Sequence, residues 1–155
     1  MHGTFTSTIE LPVARHDVFA AYSELPLRKK WFRMPGTPVG DHTLDFRVDG
    51  GESLAARFAP MGDRIEHLAY HSQFLHIAPD ERIVYSYTFD LDGQRRWASL
   101  VTVELLGQGD GTLLRHIEQY AFLAVTGDGR DDVAHLKGGT QLQLNGLLAA
   151  LKPTE

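Results

Sequence analysis

Cysteine is absent from the 155-residue chain, which excludes a disulfide scaffold, a thiolate metal site and a cysteine nucleophile. Long apolar runs are absent as well, because no segment approaches the ~18 consecutive apolar residues of a membrane span. The N-terminus has no apolar run of signal-peptide length. We therefore expect a cytoplasmic protein without a membrane partner.

Positive charge is sparse. The formal net charge is −5, and the densest basic patch consists of Arg28, Lys29, Lys30 and Arg33. Charges confined to one short helix fall short of the broad basic face that nucleic-acid binding usually needs. We interpret the patch as a solvated helix surface and expect no nucleic-acid partner.

Motifs for common cofactors and nucleophiles are also missing. The chain has no phosphate-binding loop, no dinucleotide fingerprint and no Gly-x-Ser-x-Gly elbow, so no cofactor is expected. Among eight histidines, His67 and His71 share one face of a predicted strand. They lie about 13 Å apart there, too far to share one zinc ion, and no metal site is predicted.

What the chain does contain is a regular alternation of apolar and polar residues. Its length and a hydrophobic content of 43% predict one domain, residues 1–155. The Gly50-Gly51 pair is interpreted as a tight hairpin turn, because glycine reaches positive φ without a steric cost. The period-two pattern predicts seven strands, at residues 4–11, 43–48, 54–58, 65–77, 82–90, 96–106 and 112–123.

Helical periodicity occurs in three places. Val18, Phe19 and Tyr22 lie on one side of a first short helix, and the stretch LRKKWF predicts a second. An apolar stripe then predicts one long helix, which Pro153 ends: Leu136, Thr140, Leu144, Leu147, Leu148 and Leu151. The order β-α-α-β6-α predicts an α+β fold, in which a curved, seven-stranded antiparallel sheet wraps round the C-terminal helix.

Five stretches in this order resemble the helix-grip fold of the START-like (SRPBCC) superfamily. They are PVARHDVFAAYSELPLRKKWF, DFRVDGGE, APDERIVYSY, GDGTLLRHIEQYAFL and GGTQLQLNGLLAAL. Within the superfamily, the chain resembles proteins related to the activator of heat-shock protein 90 ATPase, which are polyketide-cyclase-like. It departs from them at Trp31-Phe32, where many relatives have Trp-Trp, at Thr140, where they often have tryptophan, and at His116, a usually apolar position.

A bent sheet around one helix leaves an elongated hollow, and in the family that the chain resembles this hollow is the ligand site. Phe46, Val48, Ala56 and Phe58 are predicted to form one wall, and Trp31 with Phe32 a gate or end cap. The full set of expected ligand-binding residues is Trp31, Phe32, Phe46, Phe58, Tyr70, Tyr85, Tyr87, Trp97, Ser99, Tyr120 and Thr140.

The last strand carries the candidate acid–base residues. Leu114 and Phe122 favour an orientation in which His116 and Glu118 point inward, whereas the opposite parity would bury Ile117. An inward imidazole and carboxylate two positions apart are candidate catalytic groups. A structural network would use the same pair, because each buried group needs a partner.

The strand at residues 65–77 has two amphipathic faces. We favour the set with Tyr70 and Phe74 inside over the set with His67 and His71. On either orientation, the histidines of this strand are not expected to bind a metal.

Three functional hypotheses follow. The first is a non-enzymatic protein that binds a small apolar or amphipathic molecule in the hollow. The second is a polyketide cyclase- or dehydratase-like enzyme that uses the same hollow, and the third is the chaperone-interaction module that the resemblance implies. A homodimer through an exposed strand or the final helix is the working hypothesis for the oligomeric state.

Overall fold

The computed structural model describes residues 1–152. The last three residues of the predicted domain, including Pro153, lie outside the described residues. The elements are β1 (His2–Leu11), α1 (Arg15–Ser23), α2 (Leu25–Trp31), β2 (Thr37–Pro38), β3 (Thr43–Leu44), β4 (Glu52–Phe58), β5 (Glu66–Ala78), β6 (Arg82–Leu91), β7 (Gln94–Gln108), β8 (Gly111–Phe122) and α3 (Arg130–Leu151).

One antiparallel sheet of eight strands forms the body of the fold, in the order β1-β8-β7-β6-β5-β4-β2, with β3 also paired to β4. The predicted α+β helix-grip architecture is confirmed, although the sheet has eight strands instead of seven. The additional strand is β2, which pairs with the end of β4 through Thr37 and Arg57. Its second residue, Pro38, is tolerated because β2 lies at an edge of the sheet.

The second predicted strand is much shorter than expected. β3 ends at Leu44, and the chain continues in a loop to β4. Within this loop Asp49 has positive φ, at 69°. Val48, which was predicted to form part of the ligand-site wall, is 47% exposed.

The two glycines at the end of this loop do not form a tight hairpin turn. They allow the backbone of the loop to approach β5 closely. The N–H of Asp49 donates to the carbonyl of Phe74 (2.9 Å), and the N–H of Phe74 donates to the carbonyl of Gly50 (2.8 Å). The loop therefore lies along β5. A Cβ at Gly51 would clash with the backbone oxygen of Ser72, so only glycine fits there.

β5 confirms the favoured orientation of the long central strand. Tyr70 and Phe74 are buried, at 7% and 3% exposure, and the alternate side chains point to solvent. The alternation changes after Phe74, because β5 makes a bulge between Phe74 and His76. The bulge leaves Leu75 and His76 both exposed and lets Ile77 pack against the core.

The long helix α3 packs against the sheet face that carries the buried side chains, which we call the inner face. The predicted stripe is confirmed at Leu136, Thr140, Leu144 and Leu147, all buried. Gly138-Gly139 follows the first turns of α3, and a Cβ at either glycine would meet no atom within 4 Å. These glycines are therefore not needed for close packing onto the sheet.

Candidate functional site

A cavity of about 330 Å³ lies between α3 and the inner face of the sheet. The residues that line its mouth are exposed, and they come from α3 and from the segment after α2. Buried aromatic and polar side chains form the deep wall. The lining residues are Phe32, Arg33, Met34, Pro35, Tyr70, Tyr85, Tyr87, Phe89, Trp97, His116, Glu118, His135, Leu136, Gly139, Thr140 and Gln143.

A polar cluster around Glu118, which we call the Glu118 cluster, forms part of the deep wall. The Glu118 side chain is 1% exposed. Its Oε2 accepts hydrogen bonds from the Tyr87 hydroxyl (2.5 Å) and the Ser99 hydroxyl (2.6 Å), and its Oε1 lies 2.9 Å from His116 Nε2. The Trp97 indole N–H donates to the Tyr87 oxygen at 3.0 Å. The predicted inward orientation of His116 and Glu118 is confirmed.

Strand register explains why these side chains meet. Tyr87 on β6 stands opposite Ser99 on β7, and Glu118 on β8 stands opposite Val101, two residues further along β7. Residues of equal parity on neighbouring strands point to the same face. Burial raises the pKa of Tyr87, and the neighbouring Glu118 carboxylate raises it further, so the phenol stays protonated as a donor.

Aromatic rings form most of the remaining wall. Tyr70 and Tyr87 stack with ring centroids 5.0 Å apart, and Phe89 stacks on Trp97 at 4.3 Å. Tyr85 contacts Tyr87 at 6.3 Å. This wall is suited to flat apolar groups, because aromatic surfaces prefer offset or edge contacts with other rings.

Most of the sequence-predicted site residues meet at this cavity. His116, Glu118, Phe32, Tyr70, Tyr85, Tyr87, Trp97 and Thr140 line it. Ser99 is buried behind them and holds Glu118 by its hydrogen bond. The parity argument was therefore sound for the central strands.

Two predicted residues on the β3–β4 side lie away from the cavity. Phe46 packs edge-on against Phe74 (4.8 Å) and Phe19 (5.5 Å), in the core under α1. Phe58 is the last residue of β4, and its backbone lies against Gly36. Their expected positions in the wall were wrong, because neither residue lines the cavity. The predicted hairpin is a loop, which places Phe46 against Phe19 of α1 and Phe74 of β5.

Trp31 and Tyr120 do not line this main cavity, although Trp31 lines a small void beside it. The Trp31 indole N–H donates to the Ala21 carbonyl (2.9 Å), which joins α2 to α1. Tyr120 lies in a separate cluster with Phe5 and Phe122. Both rings are fixed by partners other than the cavity.

A second buried polar group, Arg28 with Glu52 and His42, was missed by the sequence analysis. Arg28 Nη2 donates to Glu52 Oε1 (2.7 Å) and Nε donates to Glu52 Oε2 (2.9 Å), while His42 Nε2 lies 2.7 Å from Oε2. The two side chains of the ion pair are 3% and 0% exposed. The prediction that Arg28 belongs to a solvated basic surface was wrong.

Aromatic packing explains how α2 buries a charged residue. The Arg28 guanidinium lies 3.7 Å from the ring centroid of Phe32 and 4.8 Å from that of Trp31. A weakly hydrated, planar guanidinium is suited to such stacking. An Arg four residues before an aromatic residue is one signal that could have revealed this inward face of the helix.

The Arg28–Glu52 pair predicts a defined response to acid. Burial alone would raise the pKa of Glu52, but the Arg28 guanidinium and the hydrogen bonds from His42 and Arg28 bring it below its ordinary value of 4.5. Stability from this pair is therefore complete above about pH 4.5 and is lost as the pH falls through the lowered pKa. We expect urea unfolding to show that decline, and Glu52→Gln to lack this component. Equal acid-dependent declines in both proteins would contradict the assignment.

No helix in residues 1–152 is long and apolar enough to cross a membrane. Within the same residues, no group of three or more histidine, aspartate or glutamate side chains is placed to hold a metal ion.

The fold and the cavity define a START-like (SRPBCC) protein, a single sheet with a long C-terminal helix across its inner face. The chain belongs to the family described as "Activator of Hsp90 ATPase homolog 1-like protein", whose model matches residues 12–152. No match was found among curated proteins.

Several solved structures share the fold of this chain. The Mll3558 protein from Rhizobium loti is 38% identical, with a TM-score of 0.80 over 97% of this chain and 98% of that one. A putative uncharacterized protein from Rhizobium leguminosarum is 31% identical, with a TM-score of 0.82 over 97% of this chain and 95% of that one. CalU16 from Micromonospora echinospora shares the fold at 19% identity, with a TM-score of 0.63 over 97% of this chain and 76% of that one.

Proposed function

We propose that the protein binds a small, largely apolar molecule that carries a hydroxyl group, in the cavity between α3 and the sheet. The observation that carries the proposal is the buried carboxylate of Glu118 at the cavity wall. A buried charge is costly unless it is paired or hydrogen-bonded. Here three neighbours fix its orientation.

The carboxylate retains capacity for one further donor. Two oxygens provide about four lone-pair sites, and Tyr87, Ser99 and His116 occupy three of them. Among residues 1–152, Oε1 has one hydrogen-bond partner, His116, whereas Oε2 has two. A ligand hydroxyl would complete the set, while the stacked rings contact its apolar body.

The second candidate is an acid–base enzyme of the cyclase or dehydratase kind in the same cavity. The close pairing of His116 Nε2 with Glu118 Oε1 favours it, because such a pair can hold and pass on a proton. Undiminished turnover of a substrate by both Glu118→Gln and His116→Ala would contradict the enzyme proposal.

Gly139 allows a test that leaves the polar wall intact. Gly139 lines the cavity mouth, whereas Gly138 next to it does not, and neither position has an atom within 4 Å of a new Cβ. We expect Gly139→Leu to weaken binding of para-benzylphenol at least tenfold, because the leucine occupies the mouth. The matched variant Gly138→Leu should bind like the wild type. Quenching of tryptophan fluorescence measures both, since Trp97 lines the cavity.

Both variants should unfold at the same or higher urea concentration than the wild type, because leucine is favoured over glycine in a helix by roughly 0.5–1 kcal/mol. Lost binding in Gly139→Leu alone, with both proteins folded, supports the cavity as the binding site. Equal affinities in all three proteins would place the probe elsewhere and contradict the proposal.

A further inference from the structure

Arg28 has one nitrogen that its ion pair does not use. Its Nε and Nη2 both donate to Glu52, but Nη1 is buried and makes no hydrogen bond to any residue among 1–152. The guanidinium is a rigid planar fork, so the N–H groups of Nη1 point away from the edge that Glu52 occupies. A buried donor without an acceptor costs on the order of 1–3 kcal/mol, and an ionised group costs more.

A small void adjoins this guanidinium and the main cavity. The void has a volume of about 10 Å³ and is lined by Arg28, Tyr22, Trp31 and Leu144. It shares further lining residues with the main cavity: Phe32, Tyr85, His116, Thr140 and Gln143. It is therefore a side chamber of the ligand cavity, and Arg28, which carries the unpaired nitrogen, forms part of its wall.

Size and charge restrict what the chamber accepts. A volume of 10 Å³ corresponds to roughly one water-sized probe, which is enough for one oxygen atom and too little for both oxygens of a carboxylate. Glu52 already balances the positive charge of Arg28. Glu118 adds a buried carboxylate elsewhere on the cavity wall, which disfavours a second anion.

We propose that Arg28 is a specificity-determining residue, whose Nη1 donates a hydrogen bond to an uncharged carbonyl oxygen of the ligand in this side chamber. The inference rests on the proposed function and narrows its ligand class to hydroxylated ketones, with the hydroxyl at Glu118 and the carbonyl at Arg28. Arg28 thereby has two roles: it stabilises the fold through Glu52, and it binds the ligand through Nη1.

Two probes that differ only at the bridging carbon test the inference on the wild-type protein. They are para-hydroxybenzophenone, which has a carbonyl, and para-benzylphenol, which has a methylene in its place. We expect the ketone to bind about tenfold more tightly, because a hydrogen bond to a charged donor contributes that order of affinity. If both probes bind equally, the Arg28 subsite is wrong and the cavity proposal stands. If neither binds, the proposed function itself fails.

Infrared spectroscopy of the bound ketone identifies the donor. We expect the carbonyl stretching band to move to lower frequency in the wild type and to return toward its value in apolar solvent in Arg28→Lys. Tyr70→Phe is the matched control, because the buried Tyr70 hydroxyl at the cavity wall, like Arg28 Nη1, has no hydrogen-bond partner among residues 1–152. Loss of the shift in Tyr70→Phe would assign the carbonyl to Tyr70 and overturn the proposal.

Arg28→Lys alters the buried ion pair. Near-ultraviolet circular dichroism must therefore show that the variant is folded before its infrared band is compared with that of the wild type. Should it not fold, the wild-type comparison of the two probes and the wild-type carbonyl band still decide the matter. An unshifted carbonyl band in the wild-type complex would show that the ligand carbonyl accepts no hydrogen bond from Nη1, and the proposal would be wrong.

Discussion

Replacing Glu52 with glutamine is expected to lower the free energy of unfolding by about 3–5 kcal/mol. The change keeps the shape of the side chain but removes the charge that balances Arg28, at a position where the two partners are 0% and 3% exposed. Without a counter-ion, the buried guanidinium loses the attraction of an opposite charge in addition to the strength of its hydrogen bonds. Urea unfolding at neutral pH measures the loss.

Glu104→Gln is the matched control for this prediction. Glu104 pairs with Arg115 across β7 and β8 at 3.5 Å, and both side chains are partly exposed. Such pairs contribute about 0–1 kcal/mol. Similar losses in Glu52→Gln and Glu104→Gln would mean that the buried pair stabilises the fold no more than a surface pair. The aromatic rings that pack around Arg28 would then be the main contacts that stabilise its buried guanidinium.

Glu118→Gln is expected to remove most of the preference of the cavity for a free hydroxyl. In the wild type, para-benzylphenol should bind roughly 10–100 times more tightly than its methyl ether, since only the phenol can donate a hydrogen bond to the Glu118 side chain. The neutral amide of glutamine accepts a weaker hydrogen bond. Titration of both compounds, followed by tryptophan fluorescence, gives the ratio of their affinities in each protein.

Ser99→Ala separates the direct effect of Glu118 from loss of its orientation. The variant removes one donor to Glu118 and leaves the carboxylate in the cavity. We expect it to retain a preference for the phenol smaller than that of the wild type. An unchanged preference in Glu118→Gln would show that the hydroxyl is recognised by another group, and the Glu118 assignment would be wrong.

The sheet and the long helix were predictable because their patterns are local. Alternation along β6, β7 and β8 sets which side chains are buried, and the inward positions of Tyr85, Ser99 and His116 follow from strand parity. The apolar stripe of α3 likewise follows from helical spacing. Most of the deep cavity wall comes from these elements, so it was predictable with them.

The features that could not be predicted depend on contacts between distant segments. Arg28 and Glu52 are 24 positions apart, and no local pattern in α2 identifies Glu52 as the partner of Arg28. The loop before β4 is a second feature that depends on a distant segment. Its alternating residues suggest a strand, but its backbone is held by Phe74 of β5, and Phe46 packs into the core as a result.

The bulge in β5 gives this strand one residue more than its pairing with β6 requires. Phe74 pairs with Tyr85 and His76 with Val84, so Leu75 is the one residue between them that has no opposite number on β6. Deleting Leu75 would leave an ordinary alternation in which Phe74 and Ile77 keep their sides of the sheet. Loss of Leu75 would therefore shorten β5 by one residue and leave its pairing with β6 on both sides of the bulge unchanged.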